Sequence, residues 1–355
     1  MWELRRHSVR RGPTRLLAVG AAAAVLVLGV AACGGSDSGG GSSSSGGSGA
    51  SASGEKVTVG LIVKRESNPF FVKMIDAAKK AAAENNVDLI TAAGKTDVDN
   101  QSQVTALENM TTRGAKGILI VPADSKAVVP AIKKARDAGV TVIALDTPTE
   151  PQSAVDALFA TDNLKAGELI GQWAKAKMGG KKAKIAMLDL APGISVGQLR
   201  HDGFLKGYGI KDGDPQIVGS VNTEGDTAKG QAGMEQLLQK EPNINLVYSI
   251  NEPSGFGAAT ALKAAGKKPG DVTIVSVDGG CDAIKRGIKT GVIDATSQQY
   301  PQNMAAQGVK AIAAAARGGK KPSGYTDTGV NLITADAQTG VTSKDAAYGT
   351  ENCWG

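Results

Sequence analysis

The sequence predicts an α/β fold of two doubly wound lobes, each built on a parallel sheet. Short aliphatic and β-branched runs alternate with Ala- and Lys-rich segments of helical period, which is typical of a parallel sheet covered on both faces. The alternation resumes after Asp162, and two lobes accommodate the number of strands better than one very wide sheet. An eight-fold β/α barrel also fits the length and stays open as the alternative.

The individual elements follow from this alternation. In the first half of the chain we expect strands at 57–63, 87–92, 117–121 and 140–145. Helices are expected between them at 71–84, 101–112 and 127–138. In the second half we expect strands at 184–190, 216–221, 246–250, 272–277 and 292–296, each followed by a helical segment.

The N-terminus predicts export. Five arginines lie within the first 15 residues, an apolar run covers residues 16–32, and small residues precede Cys33. A membrane-spanning helix needs roughly 20 apolar residues, and this run is shorter. The ending Val30-Ala31-Ala32-Cys33 resembles the lipobox of bacterial lipoproteins. That resemblance implies a signal peptide over residues 1–32, acylation of Cys33, and a lipid anchor at the outer face of the cytoplasmic membrane.

Residues 33–54 are predicted to form a tether. After Cys33 the segment is almost wholly Gly, Ser and Ala, so it has little to bury and cannot offset the entropy lost on ordering. A Gly-rich coil of this length spans about 25 Å root-mean-square, which holds a folded body just off a membrane surface. The folded part is therefore expected to begin near Glu55.

Composition argues against nucleic-acid binding and against many enzyme classes. Removing five arginines and one glutamate with the signal peptide takes the formal net charge from +6 to about +2, and the remaining lysines are scattered. Beyond that peptide the chain has one histidine, His201, and two cysteines besides Cys33, namely Cys281 and Cys353. A nucleophilic triad would have to use His201, and the clustered ligands of a zinc site are missing. We therefore expect no metal and no cofactor.

Polar side chains and an aromatic pair follow the predicted strands. Ligands of doubly wound sheets bind beyond the carboxyl ends of the strands. Those positions here are 64–71, 146–148, 251–253, 278–280 and 297–299. Their carboxylates and amides match sugar hydroxyl groups, which both donate and accept hydrogen bonds, while Phe70 and Phe71 offer flat faces for sugar C–H groups. Alternatively, these phenylalanines fill the core, and Asp146 and Asp278 cap the segments that follow them.

A set of short motifs carries a family resemblance. In chain order these are Asn68-Pro69-Phe70-Phe71, Leu145-Asp146, Thr161-Asp162-Asn163, Arg200-His201-Asp202-Gly203-Phe204, Val277-Asp278-Gly279, and Ala295-Thr296 with Gln299. Together they resemble the type I periplasmic sugar-binding proteins of ABC importers, of the ribose-binding class. The resemblance covers residues 56 to about 335.

The resemblance implies the periplasmic-binding-protein type I fold, in which three crossovers join two lobes around a ligand cleft. We place the crossovers near Thr161, Gln299 and Gly329. The N-terminal lobe would then consist of residues 55–161 and 300–328, and the C-terminal lobe of residues 162–299 and 329–355.

The resemblance also implies a role for each candidate binding residue. Phe70 and Phe71 would stack on the sugar. Asn68 and Asp146 would bind hydroxyl groups from the first lobe, and Arg200 and Asn251 would bind them from the second lobe. Asp278 and Gln299 would bind hydroxyl groups near the junction of the lobes.

Some positions depart from the ribose-binding pattern. Ribose binders have an arginine directly after the equivalent of Asp146, where this chain has Thr147, which we also predict to be a binding residue. They have a third stacking aromatic residue in the loop that reads Thr223-Glu224-Gly225-Asp226 here, and a small hydroxyl residue at the position of Lys64. Lys64 is therefore a candidate hydroxyl donor or, alternatively, a surface lysine at the strand end.

The identity of the sugar follows from a narrower resemblance. The segments 251–253, 276–281 and 295–301 are most similar to the fructose-binding branch of the class. We therefore expect a monosaccharide, with fructose favoured over ribose, galactose or another sugar.

The implied function is capture of a sugar by hinge closure, without catalysis, and delivery to an ABC permease in the membrane by a monomeric protein. A lactose-type repressor shares the fold but needs an N-terminal helix-turn-helix. A sugar-sensing receptor component remains an alternative. An exported glycoside hydrolase, with Asp146 opposite Asp278 or Glu252, is less favoured.

Cys281 and Cys353 form an even pair in a protein predicted to be exported, so we expect a disulfide bond between them. Such a bond would pin the C-terminal tail to the loop after Asp278. The alternative is a buried Cys281 that packs as a small hydrophobic residue and an exposed Cys353.

Overall fold

The structure, a computed structural model, describes residues 56–355. The strands in this range are β1 (Val57–Val63), β2 (Val87–Ala93), β3 (Gly117–Ile120), β4 (Thr141–Leu145), β5 (Ala157–Ala160), β6 (Ile185–Asp189), β7 (Ile217–Asn222), β8 (Leu246–Ser249), β9 (Thr273–Asp278), β10 (Ala295–Gln298), β11 (Gly324–Asp327) and β12 (Asn331–Thr334). The helices are α1 (Pro69–Glu84), α2 (Asn100–Thr112), α3 (Val129–Asp137), α4 (Asn163–Met178), α5 (Ser195–Tyr208), α6 (Thr227–Lys240), α7 (Glu252–Ala264), α8 (Pro301–Ala316) and α9 (Ala346–Asn352). The predicted signal peptide, Cys33 and the tether lie outside the described residues.

The strands of residues 56–355 form two separate sheets of six. Their orders are β2-β1-β3-β4-β5-β11 and β7-β6-β8-β9-β10-β12. Neighbouring strands are parallel except for β12, which runs antiparallel to β10. Both sheets follow the 2-1-3-4-5 order of doubly wound folds. The predicted fold class is confirmed, and the barrel alternative is wrong because the sheets are open and separate.

The described chain passes between the two sheets three times. It leaves the first sheet after β5, returns to it after β10, and leaves it again between β11 and β12. Helix α8 follows β10 of the second sheet but packs on the first, where Met304 and Val309 belong to the core. This arrangement of two lobes and three crossovers is the one that the resemblance implied.

Each sheet is buried on both faces. Leu61 and Ile62 are adjacent in β1 yet belong to core clusters on opposite faces, because successive strand side chains alternate. Met187 and Leu188 of β6 likewise belong to core clusters on opposite faces of the second sheet. Helices therefore cover both faces, and ligand access is left at the ends of the strands.

The switch points of the two sheets set the place of the site. In each sheet the second strand lies on one side of the first and the third strand lies on the other side, so the strand order reverses between β1 and β3 in one lobe and between β6 and β8 in the other. A crevice opens at such a point beyond the carboxyl ends of the strands. The two crevices face each other across the boundary between the lobes.

Candidate functional site

Side chains from both lobes surround a small cavity at the carboxyl ends of the two sheets. The lining residues are Lys64, Asn68, Phe70, Phe71, Asp97, Asp146, Leu190, Val196, Arg200, Asn251 and Asp278. The cavity volume is about 20 Å³, which is room for about one water molecule. A larger ligand therefore enters only when the lobes separate or the lining side chains move.

The start of α1 forms one wall of this cavity. Asn68 caps the helix, because its Oδ1 accepts the backbone N–H of Phe70 at 2.9 Å, and Pro69 follows at the first helical position. Phe70 and Phe71 lie edge to face with their ring centroids 5.3 Å apart, and both are buried. Each ring belongs to the core of the first lobe and also lines the cavity. The core alternative and the binding role are thus compatible.

Lys64 follows β1 and is buried against the cavity rather than exposed at the surface, so the surface alternative is wrong. Burial lowers the pKa of Lys64, although the carboxylates of Asp146 and Asp97 act in the opposite direction. A buried ammonium group with three donors is suited to bind ligand hydroxyl groups.

Asp146 and Asp278 occupy unusual backbone conformations at the ends of β4 and β9. Their φ angles are 60° and 114°, in the left-handed region that non-glycine residues rarely adopt. Neither residue is the N-cap of a helix, so the capping alternative is wrong for both. Strained residues persist where the surrounding structure holds them, and they are concentrated at binding sites.

Two predicted binding residues lie behind these aspartates instead of lining the cavity. Thr147 Oγ1 donates to Asp146 Oδ2 at 2.9 Å, and Gln299 Nε2 donates to Asp278 Oδ1 at 2.8 Å. Both Thr147 and Gln299 are fully buried. The structure therefore places them as supports of the carboxylates.

Arg200 of α5 lies between the two aspartates. Its guanidinium nitrogens are 3.6 Å from Asp146 Oδ1 and 3.6 Å from Asp278 Oδ1. Arg200 Nε donates to Asn163 Oδ1 at 2.8 Å, and Nη1 donates to the carbonyl of Ile250 at 3.0 Å. The guanidinium is thereby held at the boundary between the lobes.

Close packing of α4 against α5 brings Arg200 to this position. A Cβ atom on Gly167 would clash with the carbonyl of Arg200, and one on Gly203 would clash with the carbonyl of Leu164. Glycine at both positions lets the two helix backbones touch. A larger residue at either position would push α5, and the guanidinium with it, away from the cavity.

Asn251 connects the second switch point to a neighbouring loop. It caps α7 by accepting the N–H of Ser254 at 3.1 Å, and its amide donates to the carbonyl of Gly225 at 3.1 Å. This loop is the one that lacks the third aromatic residue. Gly225 has a φ of 65°, and a Cβ there would lie 2.9 Å from Asp97 Oδ2 of the opposite lobe.

Asp97 and Arg65 were not predicted from the sequence. Asp97 lies in the loop after β2, lines the cavity and is buried, which raises its pKa. Arg65 Nε lies 3.1 Å from Asp97 Oδ1, while Nη1 and Nη2 reach Asp226 Oδ2 at 3.1 Å and the carbonyl of Gly225 at 2.8 Å. Arg65 therefore bridges the lobes beside the cavity.

Burial governs the ionisation of the acidic groups. It raises the pKa of Asp278 to about 7, against the opposing effect of the Arg200 guanidinium. Burial, followed by the Asp278 carboxylate, raises the pKa of neighbouring Glu252 to about 8. Asp146 Oδ1, which faces Arg200, has no hydrogen-bond partner among residues 56–355. A ligand hydroxyl would satisfy this buried oxygen.

A second set of contacts holds the lobes together away from the cavity. Ser125 Oγ of the first lobe and Ser195 Oγ of the second are 2.8 Å apart, and Ser195 Oγ also donates to the carbonyl of Pro148 at 2.6 Å. Together with the Arg65 bridge, these bonds show that the lobes are closed on each other.

No group of His, Cys, Asp or Glu within residues 56–355 has the arrangement of a metal site. In the same range, the helices are too short or too polar to cross a membrane.

The arrangement defines a two-lobed binding protein whose ligand is enclosed between the lobes. A profile of the family described as "Periplasmic binding protein domain" matches residues 59–321. The ribose import binding protein of Bacillus subtilis (strain 168) is 33% identical over 252 residues, covering 71% of this chain and 79% of that protein. The D-ribose/D-allose-binding protein of Pseudomonas aeruginosa is 31% identical over 299 residues, covering 79% of this chain and 90% of that protein.

Solved structures agree with this similarity. The crystal structure of a galactofuranose binding protein superimposes with a TM-score of 0.73 at 27% identity, covering 83% of this chain and 97% of that one. The chain therefore belongs to the periplasmic binding protein family, with the type I fold. It is a binding protein and not an enzyme, so the glycoside hydrolase alternative is wrong.

Proposed function

We propose that this protein captures a monosaccharide outside the cytoplasm and presents it, in the closed form, to the permease of an ABC importer. The observation that carries the proposal is the shared cavity. Asn68, Phe70 and Asp146 come to it from the first lobe, and Arg200 and Asn251 from the second. A ligand that touches both groups favours closure because it binds the closed form better than the open one.

The chemistry of the lining favours a neutral polyol. Three carboxylates, two amides, an ammonium and a guanidinium line the cavity together with two aromatic rings, so both the donating and the accepting capacity of each hydroxyl can be used. The acids Asp97, Asp146 and Asp278 face the cations Lys64 and Arg200, which leaves no strong excess of either charge for an ionic ligand.

Fructose is the first candidate, and the sugars in the names of the relatives, ribose, allose and galactofuranose, are the next. Three differences from the ribose-binding pattern argue against ribose. Thr147 lies behind Asp146 and does not line the cavity, Gly225 admits Asp97 where an aromatic ring is expected, and Lys64 replaces a small hydroxyl residue.

The setting of the protein follows from the N-terminal sequence. We propose export, cleavage before Cys33, acylation of that residue, and a monomer that moves on the tether of residues 33–54. A sensor that hands the closed form to a receptor would use the same site.

A thermal-shift screen tests the ligand class. The mature chain from residue 33, carrying Cys33→Ser so that no lipid is attached, is heated with D-fructose, D-ribose, D-allose and D-galactose. At about 100 times the dissociation constant, a bound sugar adds roughly 2.7 kcal/mol to stability, and the midpoint rises. Amino acids and nucleotides are the controls. A midpoint that rises with one of these and with none of a full panel of monosaccharides contradicts the proposal.

A further inference from the structure

The last residues of the chain are packed into the junction of the lobes. Trp354 is only 3% exposed. Its ring lies 5.3 Å from that of Phe70, at an interplanar angle of 77°, and it belongs to the core of the first lobe. The prediction assigned residues 329–355 to the second lobe, but this side chain packs on the first.

The same tail is bound to the second lobe and to a crossover. The sulfur atoms of Cys281 and Cys353 are at bonding distance, and the carbonyl of Trp354 accepts the N–H of Cys281 at 2.8 Å. The indole Nε1 donates to the carbonyl of Gln299 at 2.8 Å, in the segment between β10 and α8. Trp354 thus joins both lobes and one crossover.

The surroundings leave room for this ring. A Cβ atom on Gly280 would lie 3.2 Å from the indole carbon Cζ3, so glycine at that position allows the close approach. The matched family region ends at residue 321, and the tail lies beyond it. Phe70 therefore borders the cavity and also contacts Trp354, which is not one of the residues that line the cavity.

We propose that Trp354 is a positioning residue for the sugar site. The tail, tethered by the Cys281–Cys353 bond, supports the ring of Phe70 and links it to the second lobe and to Gln299. Gln299 in turn donates to Asp278 in the cavity wall. The orientation of the aromatic wall and the closed arrangement of the lobes therefore depend on a tail remote in sequence. The effect on sugar affinity rests on the proposed function, whereas the packing of the tail does not.

Substitutions of Trp354 and of its tether test the proposal in the mature chain. Trp354→Ala and Cys353→Ser are expected to weaken binding of the sugar identified among D-fructose, D-ribose, D-allose and D-galactose about threefold to tenfold, by calorimetry. Trp354→Phe keeps a ring beside Phe70 but loses the bond to Gln299, so its loss should be smaller. Wild-type affinity in Trp354→Ala overturns the proposal.

Trp173 provides a matched control. It is also a buried indole that donates to a backbone carbonyl, that of Asp336 at 2.9 Å, but it lies in the core of the second lobe. Trp173→Phe should lower the unfolding midpoint and leave sugar affinity unchanged. An equal loss of affinity in Trp173→Phe and Trp354→Phe would mean that the effect is one of general stability, and would overturn the proposal.

A sugar-free measurement separates the tail from the ligand. In the Trp173→Phe background, the fluorescence of the mature chain comes from Trp354 as its remaining tryptophan. Acrylamide should quench it weakly with the disulfide intact, and more strongly, with red-shifted emission, after Cys353→Ser or reduction by a phosphine. If no sugar binds the unsubstituted chain, the proposed function is contradicted. The quenching measurement then still tests whether the disulfide bond holds Trp354 in its buried position. A Trp354 equally shielded with and without the bond overturns the role of the tether.

Discussion

Asp146 of the first lobe and Arg200 of the second face each other across the cavity, with Oδ1 and Nη2 3.6 Å apart. This separation is longer than a direct hydrogen bond, and Asp146 Oδ1 has no hydrogen-bond partner within residues 56–355. A sugar hydroxyl between the two groups would accept from the guanidinium and donate to the carboxylate. The pair is therefore arranged to bind a ligand in the closed form.

Asp146→Asn and Arg200→Gln should each weaken sugar binding at least tenfold. A hydrogen bond to a charged group contributes about 1.5 to 3 kcal/mol, which corresponds to roughly tenfold to a hundredfold in the dissociation constant. Titration calorimetry well below the unfolding midpoint measures the change. Asp137→Asn is the control, because Asp137 makes an exposed ion pair with Lys133 away from the cavity. Unchanged affinity in both site variants would reduce the pair to a structural contact.

Arg65→Gln should shift the protein toward the open form. Arg65 is mostly buried and binds the Gly225–Asp226 loop across the lobe boundary, so its loss removes a contact that exists only when the lobes are closed. Sugar affinity should fall several-fold, and small-angle scattering without sugar should give a larger radius of gyration.

Arg136→Gln is the matched control for this variant. Arg136 pairs with Asp156 at 2.9 Å, and both residues belong to the first lobe. Its replacement should leave the radius of gyration and the affinity unchanged. If Arg65→Gln gives the same scattering curve as the unsubstituted chain, the bridge does not influence closure.

His201 should stabilise the protein in a pH-dependent manner. A hydrogen bond to Asp189, with a further one to Asp212, raises the pKa of His201 from 6.5 to about 9. Because the folded pKa is raised, this stabilisation is complete below pH 6.5 and is lost as the pH rises through about 9. His201→Gln should therefore lower the free energy of unfolding more at pH 6 than at pH 9.5, as measured in urea. An equal loss at both values contradicts the shift.

Cys33→Ser should release the protein from the membrane. Acylation needs the thiol, and the lipid would be the main attachment of an otherwise polar domain. Fractionation of cells expressing the full chain should find the unsubstituted protein with membranes and the variant in the soluble exported fraction. Cys281→Ser is the control, since it removes a cysteine without touching the lipobox. Equal membrane association of the Cys33 variant contradicts the lipoprotein prediction.

Periodicity predicted the long elements because buried strands and amphipathic helices leave strong patterns. The prediction missed β5, β11 and β12, although the equally short β3, β8 and β10 were found. No α-helix separates β5 from β4 or β12 from β11, so the alternation of strand and helix does not mark them, and β11 is an exposed strand without a buried apolar run. Helix α1 begins at Pro69, two residues before the prediction, because Asn68 caps it. Boundaries of this kind depend on a single cap.

The rule that ligands lie beyond strand ends located most of the cavity. The same rule, applied to the end of β2, points to Asp97. The rule does not distinguish Asp146 from Thr147. The positive φ of Asp146 decides which of these two consecutive side chains faces the cavity, and the sequence pattern does not reveal that angle. Leu190 directly follows β6, so the rule covers its position too. Val196 and the contact of Trp354 with Phe70 leave no local signal, since they arise from packing of distant segments.

The central claim is that one monosaccharide is bound between the lobes. Titration calorimetry of the mature chain with the sugar that gives the largest thermal shift tests it most directly, alongside Arg200→Gln. We expect binding of one sugar per chain, with affinity reduced at least tenfold in the variant. Binding of equal strength in both proteins would place the sugar elsewhere, and the absence of heat with every monosaccharide, at concentrations that saturate the relatives, would contradict the account.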